Sequence, residues 1–282
     1  EVKNQDEITF GEYAKEVLKI KSISLKQSTI DFYTRYFAQV IDEIGHIKLV
    51  DMSPRIIDLF LSDMITKKTN KVVEIYMLVL NIVLESAYKE DLIESNPMTK
   101  IKFILPKKNK KKVMPVTDQD FSALLEYASD KTPAYGFWAR LVYNTGMRVG
   151  ESLAIKHTDF DYKNRIYFVN KSRDRHGNIG PTKTNKARIG IIHVALEELM
   201  NEIIEHQNKM KKLFGSDYND HDLVICQDDG TPLTYWAIKS FLERFEKQTG
   251  IRISLHALRH TFVSMLIVRD NINPKVVQKL VG

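Results

Sequence analysis

The sequence has 282 residues, 43% of them hydrophobic, so the chain can bury a substantial core and form one large or two ordinary domains. Its formal net charge of +6 and pI near 9.1 favour an anionic partner. A single cysteine, Cys226, excludes an internal disulfide framework. The longest apolar stretch, Met77 to Leu84, is far shorter than the roughly 20 residues of a membrane-spanning helix, so we expect a soluble, cytoplasmic protein.

The N-terminal region is predicted to be helical, because apolar residues recur at spacings of three and four between residues 10 and 95. Ser28 is expected to cap the second helix and Gly45 to close it, and Ser53, with Pro54 after it, to cap the third. The four predicted segments are FGEYAKEVLKI, STIDFYTRYFAQVIDEIG, SPRIIDLFLSDMIT and KVVEIYMLVLNIVLESAYKEDLI.

A lysine-rich segment follows the helix break at Asn96-Pro97. It contains seven lysines between Lys100 and Lys112 and no acidic residue, which predicts an interdomain linker over residues 100–115. Such a segment is either a solvated tether or a cationic strap across a phosphate backbone. The strap would bind DNA through Lys107, Lys108, Lys110, Lys111 and Lys112.

From Thr117 onwards the pattern mixes helices and strands. Thr117 is expected to cap the helix TDQDFSALLEYASD, and the apolar helix AYGFWARLVYNTG should end at Gly146 before MRVGESLAI resumes as a short helix. Polar and apolar residues alternate in RIYFV and RIGIIHV, which predicts two strands around the polar loop NKSRDRHGNIGPTKTNKA. The last predicted helices are ALEELMNEIIEHQNKMKKLF, TYWAIKSFLERFEKQTG, LHALRHTFVSMLIVRD and PKVVQKLVG.

These elements predict a mainly α fold with a small antiparallel sheet, that is, an α+β chain. Its N-terminal domain, residues 1–99, would be all α, and its second domain, residues 116–282, would be mixed α/β.

Arg148 lies in TGMRVGES, after a glycine that ends one helix and before the start of the next. Backbone N–H groups at a helix start favour an anion, so a guanidinium there is well placed to bind phosphate. Glu151 can brace that guanidinium. Alternatively, Arg148 is a surface arginine paired with Glu151 at i+3.

His256, Arg259 and His260 lie within one predicted helical turn in HALRH. They can form a cationic binding face, or the histidines can be ordinary polar residues of a helix. Zinc binding is disfavoured, because a third ligand is not apparent and a guanidinium between the two imidazoles would repel the metal.

Lys183 is expected at the tip of a β-hairpin, in GPTKTNKARI. Lysines are common in turns, and the neighbouring Lys186 competes for any role.

Taken together, TGMRVGES, the hairpin Lys183, and HALRH followed by KLVG resemble the tyrosine recombinase (phage-type integrase) family, in family order and at compatible separations. The resemblance implies a helical, SAM-like core-binding domain, the basic linker and a catalytic domain, as in integrases of phages and conjugative transposons. It also implies site-specific DNA cutting and rejoining through a 3′-phosphotyrosyl intermediate, to integrate and excise a mobile element, without a metal or nucleotide cofactor.

The same resemblance implies a role for each motif residue. Arg148 and Arg259 would grip the scissile phosphate, His256 would hydrogen-bond the phosphate and assist proton transfer, and Lys183 would be the general acid. Glu151 and His260 would support them. The partners would be double-stranded DNA sites, other copies of the chain as a tetramer, and accessory DNA-bending or directionality factors.

The sequence departs from the family pattern at its end, where KLVG stops at Gly282. The nucleophilic tyrosine is therefore expected after Gly282, and both termini resemble cuts in a longer protein whose arm-binding domain would precede Glu1. The matching segment assigns the nucleophile's role to none of Tyr143, Tyr162, Tyr167, Tyr218 and Tyr235. We therefore expect this chain to bind DNA without cleaving it, in a cytoplasmic, nucleoid-associated location.

Two alternative functions stay open. A type IB topoisomerase resembles this catalytic set but relaxes supercoils without pairing two sites. A DNA-binding protein that never cleaves would use the same cations only for affinity.

Overall fold

The computed structural model describes residues 7–106, 114–182 and 187–282 of the chain. The chain divides into two compact units, Glu1–Lys110 and Lys111–Gly282. Within the described residues, no helix has the length and hydropathy of a membrane span. The domain limits expected from the sequence, at residues 99 and 116, stay predictions.

Within residues 7–106, the first unit contains four α-helices, as the spacing of apolar residues predicts. Thr9 begins the first by accepting the Glu12 N–H, and the Ser53 hydroxyl accepts the Ile56 N–H, which confirms the predicted cap of the third. Their apolar faces meet in one core, in which Phe10, Phe37 and Leu61 are inaccessible to solvent. The helices are α1 (Phe10–Ser22), α2 (Gln27–Ile44), α3 (Pro54–Lys67) and α4 (Asn70–Lys89).

Two details of this unit differ from the sequence prediction. Helix α2 already begins at Gln27, so Ser28 lies inside the helix and its predicted capping role is wrong. Helix α4 ends at Lys89 rather than continuing to Ile93, because Asp91 adopts a left-handed φ of 55°. The turn allows the Leu92 N–H to donate to the Ala87 carbonyl at 2.9 Å, a Schellman arrangement that closes the helix.

Helices of the second unit surround a core that contains the buried side chains of Trp138, Met200 and Phe241. Thr117 caps the first of them by accepting the Asp120 N–H, as predicted. A π-helical turn, Met265–Arg269, follows the sixth. The helices are α5 (Asp118–Ser129), α6 (Pro133–Thr145), α7 (Val149–Ser152), α8 (Val194–Phe214), α9 (Tyr235–Thr249), α10 (Ala257–Ser264) and α11 (Pro274–Val281).

The strands of this unit pair antiparallel, so the predicted mainly α fold with a small antiparallel sheet is confirmed. In the described residues β1 (Phe160–Asp161), β2 (Ile166–Val169) and β5 (Arg188–Ile191) form one sheet in the order β1-β2-β5. Strands β3 (Lys171–Arg173) and β4 (Ile179–Pro181) form another.

The second hairpin corrects the prediction of a polar loop between β2 and β5. Lys171 pairs with Pro181 and Arg173 with Ile179, so main-chain hydrogen bonds form the hairpin without apolar alternation in the sequence. The Asp174 carboxylate accepts the N–H groups of His176 and Asn178, both at 2.9 Å, and so stabilises the turn.

Candidate active site

A left-handed glycine positions Arg148 in the second unit. Gly146 ends α6 with a φ of 62°, and Arg148 then becomes the N-cap of α7. The Glu151 carboxylate accepts the Arg148 main-chain N–H at 2.8 Å and the Arg148 Nη1–H at 2.8 Å. Both the backbone and the guanidinium of Arg148 are therefore held by one carboxylate, as the predicted bracing role of Glu151 requires.

Glu151 is almost fully buried, at 1% exposure of its side chain. Burial raises the pKa of its carboxyl, but hydrogen bonding and positive charge from Arg188, followed by hydrogen bonds from Arg148, hold that pKa below its ordinary value of 4.5. Glu151 is consequently an anion at neutral pH, with cations on two sides.

Arg259 enters the site from α10, which packs closely against the end of α6. A Cβ atom on Gly146 would lie 2.4 Å from Cδ1 of Phe262, so only glycine permits this approach without a shift of one of the two segments. At this separation the Arg259 Nη1–H donates to the Gly146 carbonyl at 2.6 Å. The same glycine therefore sets the position of both arginines.

The two guanidinium groups converge on one oxygen atom. Nη2 of Arg148 lies 2.5 Å from the main-chain oxygen of Gly282, and Nη2 of Arg259 lies 2.9 Å from it. Arg259 Nη2 also donates to the Val281 oxygen at 2.8 Å. Main-chain oxygens here satisfy donors that would bind an anionic oxygen more strongly, because a charged acceptor shortens and strengthens each hydrogen bond.

The electrostatics of the site favour an anion. Burial, followed by repulsion from Arg148, lowers the pKa of the Arg259 guanidinium to about 10. The group remains a cation at neutral pH. A bound anion would relieve this repulsion, so the arrangement suits an oxyanion ligand.

The predicted residues are only partly gathered by the described structure. Arg148, Glu151 and Arg259 lie together, and His256 is the N-cap of α10, three residues before Arg259. His256 and His260 are both exposed. Lys183, its competitor Lys186, and the linker lysines Lys107, Lys108, Lys110, Lys111 and Lys112 lie outside the described residues.

Arg188 is part of this cluster, and the sequence prediction missed it. Its Nη2 donates to Glu151 at 2.6 Å, and its side chain is 8% exposed. In the sequence it is one more basic residue at the start of a predicted strand. Only its burial beside Glu151 distinguishes it, and the sequence pattern contains no signal of that contact.

Known integrases and recombinases are similar to this chain in sequence. Residues 116–282 match the Phage integrase family. The chain is 30% identical over 148 residues to an integrase of Staphylococcus phage L54a, which covers 49% of this chain and 41% of that protein. It is 28% identical over 208 residues to the tyrosine recombinase XerC of Bacillus pumilus, which covers 71% of this chain and 63% of XerC. The chain thus spans less than two thirds of the length of these relatives.

Solved structures share the fold. A lambda integrase tetramer bound to a Holliday junction matches with a TM-score of 0.77 at 17% identity, over 100% of this chain and 79% of that chain. The Tn1549 transposon integrase in complex with circular intermediate DNA matches with a TM-score of 0.74 at 16% identity, over 98% of this chain and 92% of that chain.

Proposed function

This chain belongs to the Phage integrase family, a class of enzymes that cut and rejoin DNA strands, and from that premise we propose that it acts in site-specific DNA recombination. It binds duplex DNA at a recombination site and holds one phosphodiester for transfer to a tyrosine. Integration and excision of a mobile element are the expected outcomes. The relatives that carry the word integrase or transposase in their names support this choice.

The convergence of Arg148 and Arg259 on a single oxygen is the observation that carries the proposal. A phosphodiester under nucleophilic attack accumulates negative charge on its non-bridging oxygens. Fixed guanidinium groups around that position stabilise the transition state more than the ground state. Each planar fork can also donate parallel hydrogen bonds to phosphate, which fixes its orientation.

Proton transfers complete the reaction. The tyrosine oxygen forms a bond to phosphorus and loses its proton, the bond from phosphorus to the 5′ oxygen breaks, and the departing oxygen takes a proton. On the resemblance of their motifs, we propose that Lys183 donates the proton that the departing 5′ oxygen takes. His256 would donate a supporting hydrogen bond to the phosphate. The motif resemblance assigns the tyrosine's role to none of the tyrosines named above. The covalent phosphotyrosine conserves the phosphodiester's energy, so the reaction requires no nucleotide cofactor.

Double-stranded DNA and further copies of this chain are the proposed partners. The lambda integrase tetramer on a Holliday junction supports an assembly of this kind. The linker lysines, from Lys107 to Lys112, are proposed to contact the DNA backbone, and accessory DNA-bending or directionality factors are proposed in addition. A nucleoid-associated location follows from the same proposal.

Covalent trapping tests the function. The full protein encoded by its gene would be incubated with a nicked suicide duplex that carries its selected binding site, and the products separated in SDS. We expect an SDS-resistant protein–DNA adduct, whose rate of formation falls by about 10³-fold in Arg148→Ala or Arg259→Ala. Arg252→Ala is the matched control, because Arg252 is a surface residue with an 81% exposed side chain.

The other outcomes separate the alternatives. Tight binding without an adduct would identify a DNA-binding protein and refute the proposed cleavage. An adduct with relaxation of supercoils, but no product from paired sites, would identify a topoisomerase-like activity instead.

A further inference from the structure

A buried ion pair lies behind the phosphate-binding face of Arg148. Arg188 is the first residue of β5, and its main chain is fixed by the pairing of Arg188 with Val169 of β2. Its Nη2 lies 2.6 Å from Oε2 of Glu151, and the two side chains are 8% and 1% exposed. Such a pair is costly to desolvate, and removal of one partner strongly destabilises the folded protein because it leaves a buried charge unpaired, so the presence of the pair calls for a reason.

The Glu151 carboxylate connects Arg188 to Arg148. Its Oε2 accepts hydrogen bonds from Arg188 Nη2 and from the Arg148 main-chain N–H, while its Oε1 accepts one from Arg148 Nη1. Arg148 Nη2 is thereby left to point at the oxygen position that it shares with Arg259. In the Arg148 guanidinium, Nη1 thus binds the supporting carboxylate, and Nη2 is available to a ligand at the shared oxygen position.

We propose that Arg188 is a positioning residue for strand cleavage, which acts through Glu151 to fix the guanidinium of Arg148 against the scissile phosphate. This inference rests on the proposed function. Arg188 itself reaches neither the phosphate nor the leaving group in this assignment. The role of Arg188 is to keep the Glu151 carboxylate ionised and in one orientation, so that this carboxylate can hold Arg148.

The pKa of Glu151 supports this assignment. Burial raises that pKa, and Arg188 is the largest of the influences that lower it. Without Arg188 the carboxyl would become protonated at a higher pH, and a neutral carboxyl holds a guanidinium less firmly. Arg148 would then sample orientations that do not fit the transition state, and misplacement by about 1 Å can reduce a rate by roughly 10²-fold.

A direct contact between Arg188 and phosphate is the rival assignment. Arg188 lies near the converging arginines, since a Cβ atom on Gly282 would be 3.4 Å from Cδ of Arg188 and 3.8 Å from Nη1 of Arg148. A residue that binds phosphate in both the ground and transition states changes DNA affinity. A positioning residue changes the cleavage rate at saturating DNA.

A double-mutant cycle on the full protein separates these assignments. Arg188→Met, Glu151→Gln and the double variant would be compared in single-turnover cleavage of the suicide duplex at saturating protein. We expect Arg188→Met to reduce the rate by about 10²-fold, with DNA affinity changed by less than about 3-fold. In the Glu151→Gln background, Arg188→Met should have an effect of less than about 3-fold, because a neutral amide has already replaced the carboxylate through which Arg188 acts.

The pH profile is the readout that a purely structural role would not shift. In the unchanged protein the pKa of Glu151 lies below its ordinary value of 4.5, so the acid-side loss of cleavage that its protonation causes has its midpoint below that value. Arg188→Met should move this loss to higher pH, whereas Glu151→Gln should remove it. Arg188→Lys should restore most of the rate and return the profile towards that of the unchanged protein.

Two outcomes would contradict a positioning role for Arg188. Multiplicative effects in the cycle, or weaker DNA binding with an unchanged saturating rate, would overturn the positioning role. If Arg188→Met does not fold, Arg188→Gln, which keeps two donors, replaces it in the same cycle. Arg252→Met is the surface control and should match the unchanged protein.

Failure of the proposed function itself has a different signature. The unchanged protein would then form no adduct, and the same cycle would be measured by urea unfolding from neutral pH to well below 4.5, the ordinary pKa of the Glu151 carboxyl. Coupling between Arg188 and Glu151 that disappears on acidification would still support the buried pair as the support of Arg148. Absence of coupling would refute it.

Discussion

Arg148 and Arg259 reach the same oxygen position from two regions that hold them in different ways. On the α7 side, a buried carboxylate binds the Arg148 guanidinium and main chain, and Arg188 supports that carboxylate. On the α10 side, Arg259 donates to a main-chain carbonyl of Gly146. Arg148 is thus held by a carboxylate that it shares with Arg188, and Arg259 is oriented by the dipole of a main-chain carbonyl.

The two guanidinium groups therefore lie in different electrostatic environments. The Glu151 carboxylate forms ion pairs with Arg148 and Arg188. Burial and the charge of Arg148 lower the pKa of Arg259 to about 10, and the more distant Glu151 opposes them only in part. Arg259 therefore gains more from a bound anion than Arg148 does. The α7 side provides a fixed geometry. The α10 side provides a guanidinium that has no direct ion pair among the described residues and can face the developing charge of the transition state.

Removal of either guanidinium should have the largest effect. We expect Arg148→Ala and Arg259→Ala each to reduce single-turnover cleavage by about 10³-fold, because each removes donors aimed at the phosphate. Glu151→Gln should couple to the two differently. Combined with Arg148→Ala it should add little, and combined with Arg259→Ala its effect should multiply.

Both double-mutant cycles are obtained from single-turnover cleavage rates of the variants on the suicide duplex. The DNA affinity of each variant is measured in parallel. Equal coupling of Glu151→Gln to the two arginines would contradict the division into a carboxylate-held and a carbonyl-held side. Arg252→Ala again reports on the loss of a surface guanidinium alone.

Gly146 joins the two sides, and its replacement should have the next largest effect. An alanine there must adopt a φ of 62° and place its Cβ 2.4 Å from the Phe262 ring. We expect Gly146→Ala to reduce the free energy of unfolding by about 3 kcal/mol, the sum of a left-handed backbone and local overpacking. Urea unfolding of the chain measures this loss.

Gly250 provides the matched control for that experiment. It ends α9 with a φ of 73°, and a Cβ there meets nothing within 4 Å. Gly250→Ala should therefore cost only the backbone contribution, about 1–2 kcal/mol. Equal losses for the two variants would mean that contact with α10 does not constrain residue 146.

Helices of this chain were largely predictable, because the periodicity of apolar residues is a local signal. The boundaries depended on capping chemistry that the sequence shows less clearly. Ser53 and Thr117 cap as expected, whereas Ser28 lies inside α2, and α4 stops early at the left-handed Asp91. The β3–β4 hairpin was missed, because main-chain pairing in a polar segment leaves no alternation to detect.

In the candidate site, too, the residues that belong to local sequence motifs were predictable, and the residue whose contact is distant in sequence was not. Arg148, Glu151 and Arg259 were identified from short motifs, and the described structure places them together. Arg188 was not identified, since its significance lies in a contact with a residue 37 positions away. The roles of all these residues stay predictions, and Lys183 and the linker lysines also lie outside the described residues.

Buried hydroxyl groups anchor both sides, and their removal should have the smallest effect. Ser152 Oγ accepts the Trp138 Nε1–H at 3.1 Å and fastens α7 to α6. Thr261 Oγ1 accepts the Val116 N–H at 2.8 Å and fastens α10 to the segment before α5. Ser152→Ala should cost about 2 kcal/mol and Thr261→Val about 1 kcal/mol, measured by urea unfolding.

The order of these two values follows from the donors left behind. Trp138 is inaccessible to solvent, so its Nε1–H would stay unsatisfied in the core. Val116 is only partly buried, so its N–H can bond to water after a small shift. A larger loss from Thr261→Val would mean that α10, rather than α7, is the side fixed mainly by its hydroxyl anchor, and would reverse the contrast between the two regions.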